Sequence, residues 1–370
     1  MRVGLLPALG GGIRALAQTG QQSRLIDGYF RPYLRAFDGL DYFSYLPESL
    51  AEFTGEAALL AGVRVHAPPG PVARGRRAVQ IPFAHAAEMR RCAALRVFQI
   101  TGVIPALIAR RRFGTPFVTT YGFWYAALSE PGPKRVLKGL VERLGLKHAA
   151  AVIATTPELA ARARRLARRV ELIPNGVDTA LFQPPARPSA NAPKRILYVG
   201  RLSEEKNLGA IVTATGHLGD RAMVVMVGSG RLQESLAAQA RQAGVVLELP
   251  GVVDQRRLPE LYRSADVFVL ASFTEGHPKV LLEAMACGVP CVASDCAGNR
   301  SLVTDGRTGL LFDPHQPKEL ADRLERLFAE PDLGRRLSDA ARAEIVARYD
   351  LRALVEREIA LVRQVAGGGG

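Results

Sequence analysis

The stretch E-G-H-P-K-V-L-L-E, from Glu275 to Glu283, places two carboxylates around a predicted helix N-terminus. Pro278 suits the first helical position, because proline has no N–H group to leave unsatisfied there. Gly288, which follows M-A-C, is a typical C-terminal stop, so the sequence predicts a short helix over roughly residues 278–287. Glu283 then lies about one turn inside this helix, and Glu275 lies on the loop before it.

A helix N-terminus of this kind attracts phosphate, because free N–H groups and the helix dipole both favour negative charge there. Carboxylates do not bind phosphate, but they accept hydrogen bonds from hydroxyl groups. The arrangement therefore suits a ligand with a diphosphate in the middle and a polyol on either side, such as a ribose and a hexose. Two acidic residues at this spacing are also common as a solvated loop charge and a helix-cap charge, and the flanking residues decide between the two interpretations.

A pair of basic residues follows a predicted strand in the same half of the chain. R-I-L-Y-V-G (195–200) is typical of a short buried strand that ends at a glycine, and S-E-E-K (203–206) predicts a helix cap and first turn. Ligands of α/β sheets bind beyond the carboxyl ends of strands. Arg201 is thus placed to meet phosphate oxygens through its guanidinium group, and Lys206 adds a mobile point charge. Plain solvated charges are the alternative interpretation.

Four blocks of this chain, in order, resemble the retaining glycosyltransferases of family 4, which have the GT-B fold. The blocks are I-P-N-G-V-D (173–178), Y-V-G-R-L-S-E-E-K-N (198–207), Glu275 to Ser294, and L-V-T-D-G-R-T-G-L-L-F (302–312). The resemblance implies an enzyme that transfers a sugar from a nucleoside diphosphate with retention of anomeric configuration.

The same resemblance implies roles for individual residues. Glu283 would hold the ribose hydroxyls of the donor, and Glu275 would contact the transferred sugar. Arg201 and Lys206 would neutralise the donor diphosphate, so that Glu275, Arg201 and Lys206 are the predicted catalytic residues. The remaining predicted donor contacts on the loop and the first helical turn are Gly276, His277, Pro278, Lys279 and Val280. Nucleobases in such folds are held largely by backbone groups, and Gly251 is the candidate here.

Gly10, Gly11 and Gly12 follow the first predicted strand. They lack the G-x-G-x-x-G spacing, and Asp41 is only loosely placed to hold a ribose, which argues against a dehydrogenase. The family resemblance implies that a glycine-rich loop approaches the donor diphosphate here, which makes Gly11 and Gly12 candidate donor contacts. A flexible tight turn is the alternative.

The acceptor side departs from the family pattern. Many relatives carry an H-x-H motif after a first-domain strand and a further histidine after the next one, but here Gln99, Thr101 and Tyr121 stand at those places. Tyr121 can donate a hydrogen bond to a sugar hydroxyl, yet with an ordinary pKa near 10 it is a poor base at neutral pH. His85, in F-A-H-A-A, is the nearest unassigned imidazole and is more typical of a structural histidine.

Length and composition predict two domains, since 370 residues with 48% hydrophobic content exceed what one core usually holds. P-P-A-R-P-S-A-N-A-P-K (184–194) is Pro- and Ala-rich and predicts the linker. We expect an acceptor-binding domain over 1–183, a donor-binding domain over 195–347, and a C-terminal helix over 348–366 that crosses back to the first domain, with closure about the linker.

Each half alternates apolar strands with amphipathic helices, so we predict two Rossmann-like, doubly wound parallel sheets that face a central cleft, as in the GT-B fold. The predicted strands cover residues 3–9, 40–45, 97–100, 116–120 and 151–155 in the first half, and 195–199, 223–227, 245–249, 267–270 and 290–294 in the second.

The positive charge is concentrated in the first half. Residues 1–190 carry 26 Lys and Arg against 12 Asp and Glu, whereas residues 191–370 carry 23 of each. The dense patches are 110–112, 134–147 and 162–169. The segment 134–147 has Val136, Leu137, Leu140, Val141 and Leu144 on one side, as an interfacial helix would, although a helix that covers the core shows the same pattern.

An anionic membrane surface is one partner that this charge would suit, because each basic residue near anionic lipid contributes roughly 1 kcal/mol. Nucleic acid is not expected, since the basic patches lack interleaved aromatic residues. No stretch reaches the roughly 20 apolar residues of a membrane span, and the N-terminus has no secretory pattern. We therefore expect a cytoplasmic protein, either free or peripheral on the cytoplasmic face of the membrane.

The four cysteines, Cys92, Cys287, Cys291 and Cys296, fit a reducing compartment. The last three, taken with His277, match no zinc-ligand spacing, so no metal site is predicted. The sequence thus predicts a metal-independent glycosyltransferase without a cofactor, which moves a hexosyl group from a UDP- or GDP-sugar to a glycan or lipid-linked acceptor in cell-surface polysaccharide or glycolipid synthesis. A non-catalytic sugar-nucleotide-binding scaffold and a hydrolysing sugar-nucleotide epimerase of the same fold are the alternatives.

Overall fold

The computed structural model describes residues 1–124, 132–185 and 192–368. The chain divides into two compact units, the first formed by Met1–Pro174 with Ala353–Gly370 and the second by Asn175–Arg352. Each unit is built around one parallel sheet. The two sheets with their flanking helices confirm the predicted pair of doubly wound, Rossmann-like domains.

The first unit has a seven-stranded sheet in the order β3-β2-β1-β4-β5-β6-β7. Its strands are β1 (Arg2–Leu6), β2 (Gly39–Phe43), β3 (Val63–His66), β4 (Ala94–Val97), β5 (Phe117–Tyr121), β6 (Ala151–Ala154) and β7 (Val170–Leu172). The strand order reverses between β1 and β4, so the loops after these two strands diverge at a topological switch point.

The second unit has a six-stranded sheet in the order β10-β9-β8-β11-β12-β13. Its strands are β8 (Lys194–Val199), β9 (Ala222–Val227), β10 (Leu247–Gly251), β11 (Val267–Leu270), β12 (Cys291–Ser294) and β13 (Leu310–Phe312). The switch point of this sheet lies between β8 and β11, which are the strands that precede the basic and acidic residues singled out above.

Helices connect the strands in both units. They are α1 (Ile13–Ala17), α2 (Gln22–Leu25), α3 (Arg31–Ala36), α4 (Ala57–Gly62), α5 (Arg74–Ala84), α6 (Ala86–Arg91), α7 (Ile104–Phe113), α8 (Pro133–His148), α9 (Pro157–Ala163), α10 (Leu208–Gly216), α11 (Gln233–Gln242), α12 (Leu258–Arg263), α13 (Lys279–Ala286), α14 (Ala297–Arg300), α15 (Pro317–Ala329), α16 (Pro331–Arg348) and α17 (Leu351–Ala366). A π-helical turn, Ile26–Phe30, joins α2 to α3.

A buried ion pair anchors the C-terminal helix α17 to the first unit. Arg96 on β4 donates from Nε and from a terminal nitrogen to the two carboxylate oxygens of Glu358 on α17, each at 2.8 Å. The Tyr33 hydroxyl donates to the same carboxylate at 2.6 Å, and Arg96 also donates to Thr120 Oγ1 at 2.7 Å. Burial, with the nearby Glu358 charge, raises the pKa of Tyr33 well above its usual value. The expected return of the last helix to the first half is confirmed.

The chain leaves the first unit earlier than the predicted boundary at residue 183. It passes between units at Pro174 and again at Arg352. Val177 and Phe182 are fully buried in the core of the second unit, and Arg342 donates to the Phe182 carbonyl at 2.9 Å. Apolar burial therefore assigns this segment to the second unit. Of the predicted linker 184–194, residues 186–191 lie outside the described residues, and Lys194 already begins β8.

The sequence did not predict three short strands, which are β3, β7 and β13. The strand β4 also lies three residues before the predicted 97–100, because the charged Arg96 interrupts its apolar run. A charge inside a buried strand is tolerated here only because Glu358, distant in sequence, meets it.

We expect Glu358→Gln to lower the free energy of unfolding of the first unit by about 3 kcal/mol, since it leaves a buried arginine without its opposite charge. Trp124 lies in this unit and is the only tryptophan of the chain, so its fluorescence during urea unfolding reports the transition.

Glu171→Gln is the matched control for this measurement, because Glu171 lies in the same unit as Trp124. Glu171 pairs with Arg169 at 3.3 Å, but the two side chains are 40% and 33% exposed, so its loss should cost less than about 1 kcal/mol. Equal effects of the two substitutions would show that α17 is not held by the buried pair.

Candidate functional site

Two loops meet at the switch point of the second sheet. One runs from Gly200 to Lys206 after β8, and the other runs from Ala271 to Pro278 after β11. The backbone N–H of Phe273 in the second loop donates to the Glu205 carbonyl in the first at 3.0 Å. The strand order therefore brings together two segments that are about 70 residues apart in the sequence.

Lys206 and Glu275 form a direct ion pair between these loops. Lys206 Nζ lies 2.6 Å from Glu275 Oε1, and both side chains are mostly buried. The Ser272 hydroxyl donates to the same oxygen at 2.7 Å. Two groups, one from each loop, thus fix one carboxylate at the carboxyl edge of the sheet, and the structure brings two predicted catalytic residues into contact.

Arg201 lies in the first loop but faces solvent. Its side chain is 75% exposed and pairs with Glu205 Oε1 at 3.2 Å. Residues Glu204–Lys206 form a single 3-10 turn, and α10 begins only at Leu208, after Asn207 in the left-handed region with φ 52°. Ser203 is therefore an N-cap as predicted, but the turn that follows it is a 3-10 turn, and the αL residue Asn207 separates this turn from α10.

The helix after Glu275 lies close to the predicted range, residues 278–287. It spans Lys279–Ala286, and Gly288 follows with φ 67°, the left-handed conformation expected of a glycine stop. Pro278 has extended backbone angles and is the N-cap rather than the first helical residue, a correction of one position. Gly298 of α14 packs against this loop, where an added Cβ would lie 2.4 Å from the Glu275 carbonyl oxygen.

Glu283 lies on the buried side of α13. The Tyr262 hydroxyl donates to Glu283 Oε2 at 3.1 Å, and Gln255 Nε2 lies 3.4 Å from Oε1. Burial, followed by the Glu283 charge, raises the pKa of Tyr262 well above its usual value, so the phenol stays protonated and donates. Sequence reasoning missed Tyr262 and Gln255, because each is an ordinary residue of its own helix or loop.

His277 is buried at the N-terminal end of α13. Burial, followed by the nearby Lys279 charge, lowers its pKa to about 4, so its imidazole is neutral at physiological pH. Asn175, from the I-P-N-G-V-D block, donates to the His277 carbonyl at 2.8 Å, and the His277 ring lies 5.5 Å from the Tyr349 ring. Two of the sequence blocks are thus joined at the start of α13. Among the other predicted donor contacts, Lys279 and Val280 form the first turn of α13 and Gly276 precedes it.

Gly251 ends β10 with φ 78°, and its carbonyl accepts a hydrogen bond from the Gly228 N–H at 2.8 Å. It lies on the far strand of the sheet, beyond β9 and β8, and no ligand role follows from its geometry alone. Its contact with a nucleobase stays a prediction.

In the first unit, the glycine-rich loop after β1 forms a closed turn. The Gly11 N–H donates to the Ala8 carbonyl at 2.8 Å. The Glu48 carboxylate accepts hydrogen bonds from the Ile13 and Arg14 N–H groups at 2.9 and 2.7 Å. A Cβ on Gly12 would lie 2.7 Å from Glu48 Oε1. The geometry therefore explains a glycine at position 12 by the close approach of a side chain, and donor contact by Gly11 and Gly12 stays a prediction.

The acceptor-side residues surround a polar cluster at the end of β5. Tyr121 is buried and its hydroxyl donates to Glu142 Oε1 at 2.8 Å, while Arg162 Nε donates to the Tyr121 oxygen at 3.0 Å. The Arg162 guanidinium lies 3.7 Å from the centre of the Trp124 ring. Burial, followed by the hydrogen bond to Glu142, raises the pKa of Tyr121, which makes it a still weaker base than the sequence suggested.

Glu142 and Arg162 were not predicted as site residues. Glu142 is the only acid in the segment 134–147, which was a possible signal, and Arg162 belongs to a basic run that was interpreted only as surface charge. Gln99 lies close to this cluster, since a Cβ on Gly122 would lie 3.4 Å from its Oε1. Thr101 is half-buried in the 3-10 turn Ile100–Gly102.

His85 contacts other side chains of the first unit. Arg77 lies 3.3 Å from His85 Nε2, and the His66 ring lies 5.1 Å from the His85 ring. His66 Nε2 in turn lies 2.8 Å from Asp41 Oδ1, which Arg2 also contacts. Asp41 is therefore used inside the first unit and not as a ribose ligand at a strand end.

Within the described residues, no three His, Cys, Asp or Glu side chains converge closely enough to form a metal site. In the same part of the chain, none of the helices is both long enough and apolar enough to cross a bilayer.

Two parallel-sheet units of this kind define the class of two-domain GT-B proteins. Sucrose-phosphate synthase from Thermosynechococcus elongatus is similar in structure, with a TM-score of 0.83 and 21% identity over 100% of both chains. HepE from Anabaena, solved in complex with UDP-glucose, has a TM-score of 0.76 and 19% identity over 97% of this chain and 98% of that one. At this level of identity, the similarity shows the GT-B fold.

Sequence comparison gives the family. The family described as "Glycosyl transferases group 1" matches residues 182–344, and "Glycosyltransferase Family 4" matches residues 16–181. This chain therefore belongs to the family 4, group 1 glycosyltransferases.

Curated relatives carry a consistent name. D-inositol 3-phosphate glycosyltransferase 2 of Catenulispora acidiphila is 32% identical over 68% of this chain and 70% of its own length. D-inositol 3-phosphate glycosyltransferase of Xylanimonas cellulosilytica is 37% identical over 47% of this chain and 46% of its own length. The chain spans about half the length of several curated relatives that it matches.

We expect the neutral, buried His277 to make the second unit acid-sensitive. Its folded-state pKa lies below the unfolded value near 6.5, so its contribution to stability is complete above pH 6.5 and is lost as the pH falls toward 4. The slope from this residue approaches about 1.4 kcal/mol per pH unit within that window.

Circular dichroism of urea unfolding between pH 7 and 4.5 tests this, with His277→Asn expected to flatten the dependence. His217→Asn, at an exposed position of the same unit, should retain the wild-type slope. An unchanged slope in His277→Asn would contradict a neutral buried imidazole.

Proposed function

We propose that this protein transfers a hexosyl group from a nucleoside-diphosphate sugar to a glycan or lipid-linked acceptor. The observation that carries the proposal is the contact between Lys206 and Glu275 at the switch point of the second sheet, directly before the N-terminus of α13. The diphosphate of such a donor requires positive charge, which a cation and a helix N-terminus supply. Its sugar hydroxyls require an acceptor of hydrogen bonds, which a carboxylate supplies.

In this proposal the leaving diphosphate is stabilised by positive charge that is already in place. Lys206 is held by Glu275, Arg201 faces solvent beside Glu205, and the eight-residue helix α13 begins directly after the loop. Preorganised charges of this kind lower a transition state without reorganisation at the moment of reaction. Glu275 accepts a hydrogen bond from a hydroxyl of the transferred sugar, and Glu283 accepts hydrogen bonds from the ribose hydroxyls.

The donor that we propose is a UDP- or GDP-sugar, with no further cofactor. The solved complex of HepE with UDP-glucose supports a uridine donor for a protein of the same fold. Metal independence is proposed because Arg201, Lys206 and the α13 N-terminus supply the charge that a divalent cation supplies elsewhere.

Retention of configuration is proposed with the leaving phosphate as acceptor of the incoming hydroxyl proton. This route needs no protein base on the acceptor side. It is supported by Tyr121, whose raised pKa and hydrogen bond to Glu142 make it a donor rather than a base. The Tyr121, Glu142, Arg162 and Trp124 cluster then has a binding role toward acceptor hydroxyls.

We place the reaction in the cytoplasm at the cytoplasmic face of a membrane, in polysaccharide or glycolipid synthesis. The concentration of net positive charge in residues 1–190 supports this location. Inositol phosphates are the first soluble acceptors to assay, since the curated relatives are named for one.

Binding of UDP-, GDP- and ADP-sugars, followed by thermal shift, tests the donor site. We expect one nucleotide series to stabilise the wild type and Glu283→Gln to lose at least about tenfold in affinity, because a ribose hydroxyl loses a charged acceptor. Glu248→Gln is the control, since Glu248 is a half-exposed carboxylate of the same unit. An absence of any shift in the wild type would contradict the proposal.

Transfer is tested separately with Glu275→Gln. We expect nucleotide binding to persist and release of nucleoside diphosphate to fall by about 100-fold or more, because the sugar loses an oriented acceptor. Release of nucleoside diphosphate that persists without any acceptor would favour the hydrolysing epimerase. Nucleotide binding without turnover in the wild type would favour the scaffold. Proton NMR of the product reports the anomeric configuration, and EDTA should leave the rate unchanged.

A further inference from the structure

The helix α8 of the first unit has an exposed apolar face. Val136, Leu137 and Leu140 are 73%, 61% and 52% exposed, and Leu144 is 38% exposed. At 3.6 residues per turn these four side chains fall within an arc of about 100° on the helix surface. Isolated exposed apolar residues are ordinary, but four on one arc form a continuous stripe. We call these four residues the α8 stripe.

The opposite face of the same helix is packed. Glu142, Gly145 and Leu146 are buried, and an added Cβ at Gly145 would lie 2.7 Å from the Ile100 side chain. This face supplies the helix with its anchorage in the first unit, so the α8 stripe is not needed for the core. Every residue from Gly132 to Lys138 is exposed, which leaves the first turns of the helix accessible from most directions.

Two basic residues flank the α8 stripe. Arg143 and Lys147 lie within or beside its arc, whereas Lys134, Arg135 and Lys138 lie on the other side of the first turns, where they are also exposed. Glu142 is the only acid of the helix, and it points to the buried side. The exposed part of α8 is therefore apolar and cationic, without exposed carboxylates.

The neighbouring helices extend the same character. The helix α7 packs against both α5 and α8. Between α5 and α7, a surface groove of about 490 Å³ is lined by Phe83, Leu107, Ile108, Arg111 and Arg112. Phe83 is 53% exposed, and the Arg112 guanidinium lies 5.1 Å from the centre of its ring. Arginines over an exposed aromatic ring again combine apolar surface with positive charge.

We infer that the α8 stripe, with its flanking basic residues, binds the anionic surface of a lipid bilayer. The four apolar side chains enter the boundary between headgroups and acyl chains, and the basic side chains remain at the level of the phosphates. Charge complementarity selects this occupant, because the face has positive charge at its rim and the first half of the chain carries the entire net charge of the protein. A second copy of the same chain would bring like charges together and is disfavoured.

The α8 stripe is the surface through which the protein would reach the membrane proposed above, so the inference rests on that location but not on the transfer reaction. Binding there would also position the protein for a lipid-linked acceptor. The buried face of α8 holds Tyr121 through Glu142, and the exposed face would hold the bilayer, so one helix connects the lipid surface to the carboxyl edge of the first sheet. A lipid-linked acceptor could then bind to the enzyme while its lipid stays in the membrane.

Flotation of the full chain with vesicles tests the surface. The vesicles are pure phosphatidylcholine, or phosphatidylcholine with a third of phosphatidylglycerol. We expect binding to the anionic vesicles only, weakened by salt because exposed charges are screened. The double variants Leu137→Ser/Leu140→Ser and Arg143→Gln/Lys147→Gln should each reduce the partition coefficient by about tenfold or more.

Val246→Ser/Val346→Ser is the matched control, since both valines are exposed apolar residues of the second unit, and it should bind like the wild type. Thermal shift with the nucleotide sugars should be unchanged in the α8 variants, which separates a failure of this surface from a failure of the donor site. Vesicle binding that persists in both α8 variants, equal binding to neutral vesicles, or no binding at all would overturn the inference. So would a dimer in solution that the stripe variant dissociates, because the stripe would then be a contact between two copies.

Discussion

The reversal of strand order between β8 and β11 is the constraint on which the candidate donor site depends. In a parallel sheet all strands present their carboxyl ends at one edge, so the loops after the two central strands begin side by side there. The loop after β8 carries Lys206 and the loop after β11 carries Glu275, so the topology alone brings them to the same place. The 2.6 Å contact between them then fixes the geometry of a carboxylate and a cation at that edge.

Buried charges recur in both units, and two of them are met by groups from distant parts of the chain. Arg96 and Glu358 are about 260 residues apart and meet with two hydrogen bonds, assisted by Tyr33. Glu283 is met by Tyr262 and Gln255. A buried ionised group without such partners would cost several kcal/mol, so these residues are committed to one arrangement. The first pair holds the helix α17, whereas Glu283 lies on α13, four residues after its first residue, Lys279.

The predicted acceptor side lacks the histidines that many relatives carry. Tyr121 stands at one of their places, where it is hydrogen-bonded to Glu142 and Arg162, and the Arg162 guanidinium lies over the Trp124 ring. Such a cluster can orient hydroxyl groups but cannot accept a proton readily, because burial and Glu142 raise the pKa of the phenol. This agrees with a reaction in which the leaving phosphate takes the proton. The same helix that supplies Glu142 presents its apolar and basic face to solvent, so the polar cluster at Tyr121 and the proposed membrane surface share one element.

The sequence by itself determined the fold class, and it predicted the donor-side residues from local patterns. Short apolar runs predicted ten of the thirteen strands of the described residues at or near their places, and Glu275, Glu283, Arg201 and Lys206 lie in contiguous blocks around helix and strand ends. The strands β3, β7 and β13 escaped because three or four residues carry too little periodicity, and β4 was displaced because Arg96 breaks its apolar run.

Only the tertiary structure decided which groups complete each site. The contacts of Glu142 with Tyr121, of Tyr262 with Glu283, and of Glu48 with the start of α1 join residues whose separations leave no local signature. The same holds for the division between the units, which falls at Pro174 because Val177 and Phe182 are buried in the second core. Burial and long-range hydrogen bonding are properties of the packed chain, and a pattern along the sequence cannot express them.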